Sequence, residues 1–517
     1  MRKLPALALA AGFALSLSGC GGGGGGGSFV VNPTPTNARG TAVSLPPAEV
    51  VRLSAGDLST LLSATSNGKT LKALAGDPIC GVDLRYLEYN TVGGQNEAVN
   101  ATAAVMVPSG TDPRCNGARP IVLYGHGTAT DRNYNIANWV DPNQAAAAEG
   151  AIVATFYAAQ GFIVVAPNYA GYDKSTLSYH PYLNGTQQGK DMADALSAAR
   201  SALPGLSISD SGVLFVTGYS QGGYTAIAAQ RELQATGKTV TAVAPLSAPS
   251  AISLLVDYTF SGWPALGATV FTPFLTTSWQ KQFGNVYTAT GDIYEAQYAT
   301  GIDTLLPSLT PSTLFTSGKL PQLALFPANA VPGPVDPSLS IFYASNNLIR
   351  QSFLTQVAND IAAAPCPGNA LPATTASLGT AAPLNCKPLG GMRQAAVAND
   401  LRNFLPQEPT LMCGGANDPT VNFLSTRATA GYFLANGMAP TSLTVVDLEA
   451  ISQSDSFSTL RAGFQQAKVQ AAQAAGSDPT AQQQAISQQY HGTLVPPFCM
   501  AAAQGFFKTV LTAVGGA

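Results

Sequence analysis

Charge is what this sequence has least of. Only 10% of its 517 residues are Asp, Glu, Lys or Arg, and 25 basic against 28 acidic residues leave a formal net charge of −3. Nucleic-acid binding draws on clustered positive charge to displace counterions, so a balance this thin argues against that class of partner. Histidine is scarcer still, with His126, His180 and His491 the full set. No Cys-x-x-Cys occurs either, which leaves little for a zinc site; no metal and no cofactor is expected. Outside the N-terminus there is no apolar run of about 20 residues, the length a spanning helix needs, which argues against a polytopic membrane protein. Apolar residues themselves are plentiful at 46%, enough to build a sizeable core and to argue against wholesale disorder.

The first segment reads as an address. Arg2 and Lys3 precede an apolar stretch, Leu4 to Leu17, too short for a stable span and typical of an export signal. It ends in Leu17-Ser18-Gly19-Cys20, which resembles the lipobox of bacterial lipoproteins, so residues 1–20 are expected to be a signal with Cys20 lipidated. Residues 21–47 begin with seven glycines and continue rich in Pro, Asn and Thr, a flexible tether with little to bury. An exported lipoprotein follows, held at the outer membrane on its periplasmic or cell-surface face, or released, and touching membrane only through that anchor. Removing Cys20 leaves Cys80, Cys115, Cys366, Cys386, Cys413 and Cys499. An even set in an exported chain reads as three disulfides. Fifteen pairings exist for six cysteines; pairing neighbours in sequence, 80–115, 366–386 and 413–499, is favoured.

The body alternates strands and helices. Residues 103–107, 120–124, 161–166, 212–217 and 239–246 read as strands, several of them the unbroken apolar runs of strands buried on both faces. Helices are expected at 143–160, 189–203 and 221–235, with Gly237 as a C-terminal stop. This order predicts a mostly parallel sheet with helices on both faces. From Ser247 the period is lost among Pro, Thr, Ser and aromatics, and it resumes with strands at 410–413 and 442–446. The expected division is therefore a sheet core over 48–246 and 410–517, an insertion over 247–409, and a second, Ala/Gln-rich helical insertion over about 448–489.

Gly218-Tyr219-Ser220-Gln221-Gly222 is a G-x-S-x-G sequence between an apolar strand and a helix, the context a nucleophile elbow requires. The glycines leave room for a strained turn that thrusts Ser220 outward at a helix N-terminus, where the dipole favours developing negative charge. A serine hydroxyl needs a base. On such elbows the partners follow in chain order Ser, acid, His, and only His491 lies beyond Ser220. Tyr490-His491-Gly492 is expected in a polar loop at the end of a helix. The acid should lie in the loop after the 410–413 strand, making Asp418 the candidate and Asp447, after the next strand, the alternative. An oxyanion hole needs two main-chain N–H groups. Gln221 would supply one, and the loop Gly125-His126-Gly127-Thr128 the other, from His126 or Gly127. His180 reads as structural or rim. A 413–499 disulfide would tie the acid loop to the His491 segment.

With Tyr124 to Thr128, Gly161 to Gly171, the Gly189–Ala195 helix and Gly218 to Gly223 in place, the chain resembles the secretory lipases of the lipase A type, within the α/β-hydrolase superfamily. The resemblance runs from about Val51 to the C-terminus. It implies an α/β-hydrolase fold with a mainly helical cap between elbow and acid, and lipase or esterase activity on small-molecule or lipid esters through Ser220, Asp418 and His491. The Ala/Gln-rich stretch before His491 is longer than that family's usual spacing. A polyester depolymerase or peptidase with the same triad, or a non-catalytic binding protein on the same fold, are the other readings.

Overall fold

The computed structural model describes residues 38–369 and 384–515. The signal, Cys20 and the glycine run lie outside the described residues. Among the described residues, nine strands form one sheet: β1 Ala48–Leu53, β2 Gly81–Val92, β3 Ala98–Ser109, β4 Ala118–Gly125, β5 Ile163–Pro167, β6 Ser209–Tyr219, β7 Ala242–Leu246, β8 Thr410–Gly414 and β9 Leu443–Asp447. Their spatial order is β1-β2-β3-β5-β4-β6-β7-β8-β9. From β5 to β9 every pairing is parallel, while β1, β2 and β3 pair antiparallel with one another and β3 antiparallel with β5. Strands β5, β7 and β8 are buried along their whole length, which is why they are written as continuous apolar runs.

Strands β1 and β2 and the first half of β3 were not legible as strands. In β2 the buried face changes phase: Val82 and Leu84 are buried, then Leu87 and Tyr89, with Tyr86 half-buried between them. A period-2 signal that slips by one residue cancels over the window in which it is sought. The helix Gln221–Ala235 has the expected bounds, and the helix of the β5–β6 crossover, Gly185–Ala202, starts four residues earlier than its periodicity suggests. Asn184 explains the earlier start, because its side chain accepts the N–H of Gln187 as an N-cap.

Between β7 and β8 the described residues hold helices and no strand of the sheet, the longest being Ala268–Phe283 and Gln351–Ala363. This segment has its own hydrophobic cluster, built around Phe274, Trp279, Phe326 and Leu354, and shares it with Tyr224, Ile227 and Ala228 of the helix behind Ser220. It is thus packed directly onto the element that carries the elbow. Helices Ser458–Ala474 and Pro479–Gln489 precede His491, and Val495–Ala513 follows it. The last helix enters the sheet's own core through Val495, Phe498, Met500 and Phe507. Most of the apolar window in the helical run Pro479–Ala513 is accordingly buried in protein, although its length and composition suit a membrane span.

Candidate active site

Strand β6 ends at Tyr219 and a helix begins at Gln221, leaving Ser220 at φ 59° and ψ −119°. A non-glycine residue there is strained, and the neighbours must hold it. Two glycines make that turn possible. A side chain on Gly222 would run into the Gly125 carbonyl, and one on Gly218 would meet the carbonyls of Gly125 and Gly222. The Ser220 N–H donates to the Leu246 carbonyl at 2.9 Å, fixing the turn to β7.

The structure brings Ser220, His491 and Asp418 into one hydrogen-bonded row. His491 Nε2 lies 2.8 Å from Ser220 Oγ, and His491 Nδ1 lies 2.7 Å from Asp418 Oδ2. With Nδ1 protonated and donating to the carboxylate, Nε2 is left to accept from the serine hydroxyl. The other Asp418 oxygen accepts the N–H groups of Thr420 and Val421 at 2.9 and 3.1 Å, which fixes the carboxylate's orientation. The Asp418 side chain is 1% exposed and that of His491 13%, so the row is closed to solvent at the Asp418 end.

Asp447 does not reach the imidazole. It accepts the N–H groups of Ala416 and Glu449, both at 3.0 Å, and pairs with Arg427 at 3.3 Å. It braces the loop that carries Asp418 from behind.

His491 is not in a polar loop. Residues Tyr490–Leu494 form a π turn between two helices, in which the Val495 N–H bonds back to the Tyr490 carbonyl. Pro496 and Pro497 follow at the start of the next helix. Having no N–H, they cannot continue the α-helical ladder across the turn, so the chain widens instead of breaking. Tyr490 is anchored beneath it, its hydroxyl donating to Glu449 Oε1 at 2.6 Å.

The loop after β4 departs from expectation in one respect. The Gly127 N–H donates to Glu149 Oε1 at 2.9 Å and is therefore not aimed at Ser220. The same carboxylate accepts the hydroxyls of Tyr124 and Tyr134 at 2.7 and 3.0 Å, so Glu149 is an anchor for this loop that no sequence motif marks. The His126 ring is fully buried, stacked on Tyr134 and Tyr169 with centroids 4.2 and 4.1 Å away. Burial lowers its basicity. Gln221 is the first residue of its helix, where main-chain N–H groups have no partner within the helix. Its side chain is held by His180: Gln221 Nε2 donates to His180 Nε2 at 2.6 Å, while His180 Nδ1 donates to the Ala170 carbonyl at 2.8 Å. Burial pushes the His180 pKa down to about 3, so this imidazole is neutral. His180, read as structural or rim, is buried and braces the residue beside the serine.

The three disulfides are Cys80–Cys115, Cys366–Cys386 and Cys413–Cys499, each joining neighbours in sequence. The last joins the end of β8, just before the Asp418 loop, to the helix just after His491. The inserted region touches both loops of the site, since the Leu266 N–H donates to the Pro419 carbonyl at 2.8 Å and the Ser308 N–H to the Thr130 carbonyl at 2.7 Å. Among the described residues, no group of three or more His, Cys, Asp or Glu side chains is arranged to hold a metal ion.

No curated protein matches the chain in sequence. The prolyl oligopeptidase family matches residues 151–263, which run from the helix before β5 through the elbow into the insertion. Among solved structures, the rice cell wall degrading esterase LipA from Xanthomonas oryzae is 25% identical, with a TM-score of 0.62 over 79% of this chain and 91% of that one. A putative hydrolase from Legionella pneumophila subsp. pneumophila str. Philadelphia 1 is 17% identical, with a TM-score of 0.60 over 90% and 96% of the two chains, a likeness of fold. With a mostly parallel sheet, a strand–serine–helix elbow and these structural relatives, the chain carries the α/β-hydrolase fold and is a serine hydrolase.

Proposed function

We propose that the protein is an exported carboxylic-ester hydrolase, an esterase or lipase of the secretory lipase kind, with Ser220 as nucleophile, His491 as general base and acid, and Asp418 as the group that orients the imidazole. The observation that carries this reading is the 2.8 Å contact between His491 Nε2 and Ser220 Oγ, on a serine held at positive φ at a helix N-terminus. Ser220 Oγ attacks the ester carbonyl while His491 Nε2 takes its proton, and the imidazolium is stabilised by Asp418. The tetrahedral oxyanion is met by the Gln221 N–H and by a second main-chain N–H of the loop after β4. Of His126 and Gly127, His126 is the donor, because the Gly127 N–H is spent on Glu149. Collapse expels the alcohol with the proton from His491, leaving an acyl group on Ser220. Water, deprotonated by His491, then releases the acid.

The test is turnover of a p-nitrophenyl ester by Ser220→Ala and His491→Ala. Each is expected to lower kcat by about 10⁴-fold; near-normal turnover in either removes that residue from the role. The match to a peptidase family over residues 151–263 favours a second reading, amide-bond cleavage by the same groups. Comparing an amide with its ester on the wild-type enzyme separates the two.

The three disulfides suit an oxidising compartment. An anchor at Cys20 is part of the proposal, and Cys20→Ser should move the protein from the membrane to the soluble fraction.

A further inference from the structure

The π turn leaves one hydrogen-bonding group in an unusual position. In an α-helix the His491 carbonyl would accept from residue 495, but the Val495 N–H is bonded to Tyr490 instead. In a continued π ladder it would accept from residue 496, which is proline. The helix therefore offers this carbonyl no donor from either ladder. The donor it finds is the Tyr219 hydroxyl, at 2.6 Å. Tyr219 is 6% exposed, and its ring lies beside the imidazole, with centroids 5.1 Å apart and planes at 40°.

Tyr219 is the residue immediately before Ser220. Two consecutive residues of the elbow thus grip residue 491 at two points, Tyr219 at its carbonyl oxygen and Ser220 at Nε2. A carbonyl and a ring nitrogen fixed on the same residue leave the imidazole little freedom to swing away from the serine. We propose that Tyr219 is a positioning residue, which locks the backbone of the His491 turn to the nucleophile strand and so holds Nε2 in line with Ser220 Oγ. The inference rests on the catalytic roles proposed for Ser220 and His491. It also gives the variable position of the G-x-S-x-G sequence a function: in this chain that position must carry a long, rigid side chain ending in a donor.

The experiment is Tyr219→Phe, which keeps the ring and removes the hydroxyl. Holding reacting atoms in line acts on the chemical step, so kcat should fall by about tenfold or more with KM within about twofold. The rate of Ser220 labelling by a fluorophosphonate should fall in step with kcat. The double variant Tyr219→Phe/Pro496→Ala separates positioning from simple satisfaction of the carbonyl. It gives the helix an N–H beside the freed oxygen without restoring the link to the elbow, so it should recover thermal stability and keep the low kcat. If Tyr219→Phe does not fold, the double variant is the one read, with the same expectation. Wild-type kcat in either folded variant, or recovery of kcat together with stability in the double variant, overturns the proposal. Activity surviving in Ser220→Ala would instead sink the catalytic reading beneath it, a separate result.

Discussion

The two ends of the site are built by opposite means. At the Ser220 end, a strained backbone is held by what is missing: Gly218 and Gly222 leave the space in which β4, β6 and the elbow helix close on one another. At the His491 end, an irregular backbone is held by what is added. The Tyr219 hydroxyl takes the free carbonyl, the Tyr490 hydroxyl docks on Glu449, and Cys499 is bonded to Cys413. The first device is local and fits within five residues of sequence. The second is assembled from segments up to 272 positions apart. A turn specified by close approach tolerates no added atom, whereas a turn specified by tethers fails only when a tether is cut.

That contrast is open to attack first through glycine. Gly222→Ala places a methyl group against the Gly125 carbonyl, with backbone on both sides and no flexible side chain to yield. Loss of all activity is expected, with destabilisation in the exceptional range above about 4 kcal/mol. Gly492, one residue after His491, has open space where a Cβ would be built and no positive φ. Gly492→Ala should change stability by no more than about 0.5 kcal/mol and leave turnover near that of the wild type. Thermal unfolding and ester turnover on the pair decide the matter. Equal damage in both would mean that the His491 turn is as sterically fixed as the elbow.

A smaller effect is expected from cutting a tether. Cys413–Cys499 closes a loop of sequence separation 86 that contains the Asp418 loop and the His491 turn. Cys80–Cys115, with a separation of 35, lies at the end of β4 away from Gly125. Replacing either pair by alanine should cost about 2–4 kcal/mol of stability. Only loss of the 413–499 pair should also lower kcat, because only that bond joins the strand before the Asp418 loop to the helix after His491. A 413–499 double variant that is less stable but turns over normally would reduce this disulfide to a staple.

The same contrast decides what was legible in the sequence. The elbow, its strand and its helix follow from glycines, an apolar run and a cap, all within 25 residues of Ser220. Asp418 and His491 followed from chain order and from the scarcity of histidine, and the structure brings both to Ser220. The backbone around His491 reads as a loop in the sequence, because Gly492 and the two prolines signal a break, and only the packed Tyr219 and the disulfide turn that break into a π turn. Glu149 was invisible for the same reason. A lone glutamate on an alanine-rich helix carries no signal until Tyr124, Tyr134 and Gly127 converge on it. Long-range hydrogen bonds leave no period in a sequence.

The elbow also has a long-range side-chain brace on its helix side, and it marks where the comparison softens. His180 holds the Gln221 side chain and is neutral, its pKa pushed down to about 3 by burial. In the unfolded chain a histidine titrates near 6.5, at about its unperturbed value. Between these values the unfolded chain binds a proton that the folded one refuses, so this residue makes stability fall as pH drops from about 6.5 toward 3. Asp191, which accepts the Ala170 N–H, works against it: burial raises its pKa to about 6, so its contribution falls as pH rises toward that value. His180→Asn leaves Asp191 in place, and the difference between variant and wild type therefore isolates the imidazole. At pH 7 the variant should be less stable by about 1–3 kcal/mol, the cost of leaving buried hydrogen-bonding groups without partners. On acidification the gap should narrow, because the variant has lost the group that refuses a proton. Urea midpoints at pH 7, 5 and 4 measure this directly. Parallel pH dependences would mean that His180 takes up its proton in the folded state, and that the brace on Gln221 survives the charge.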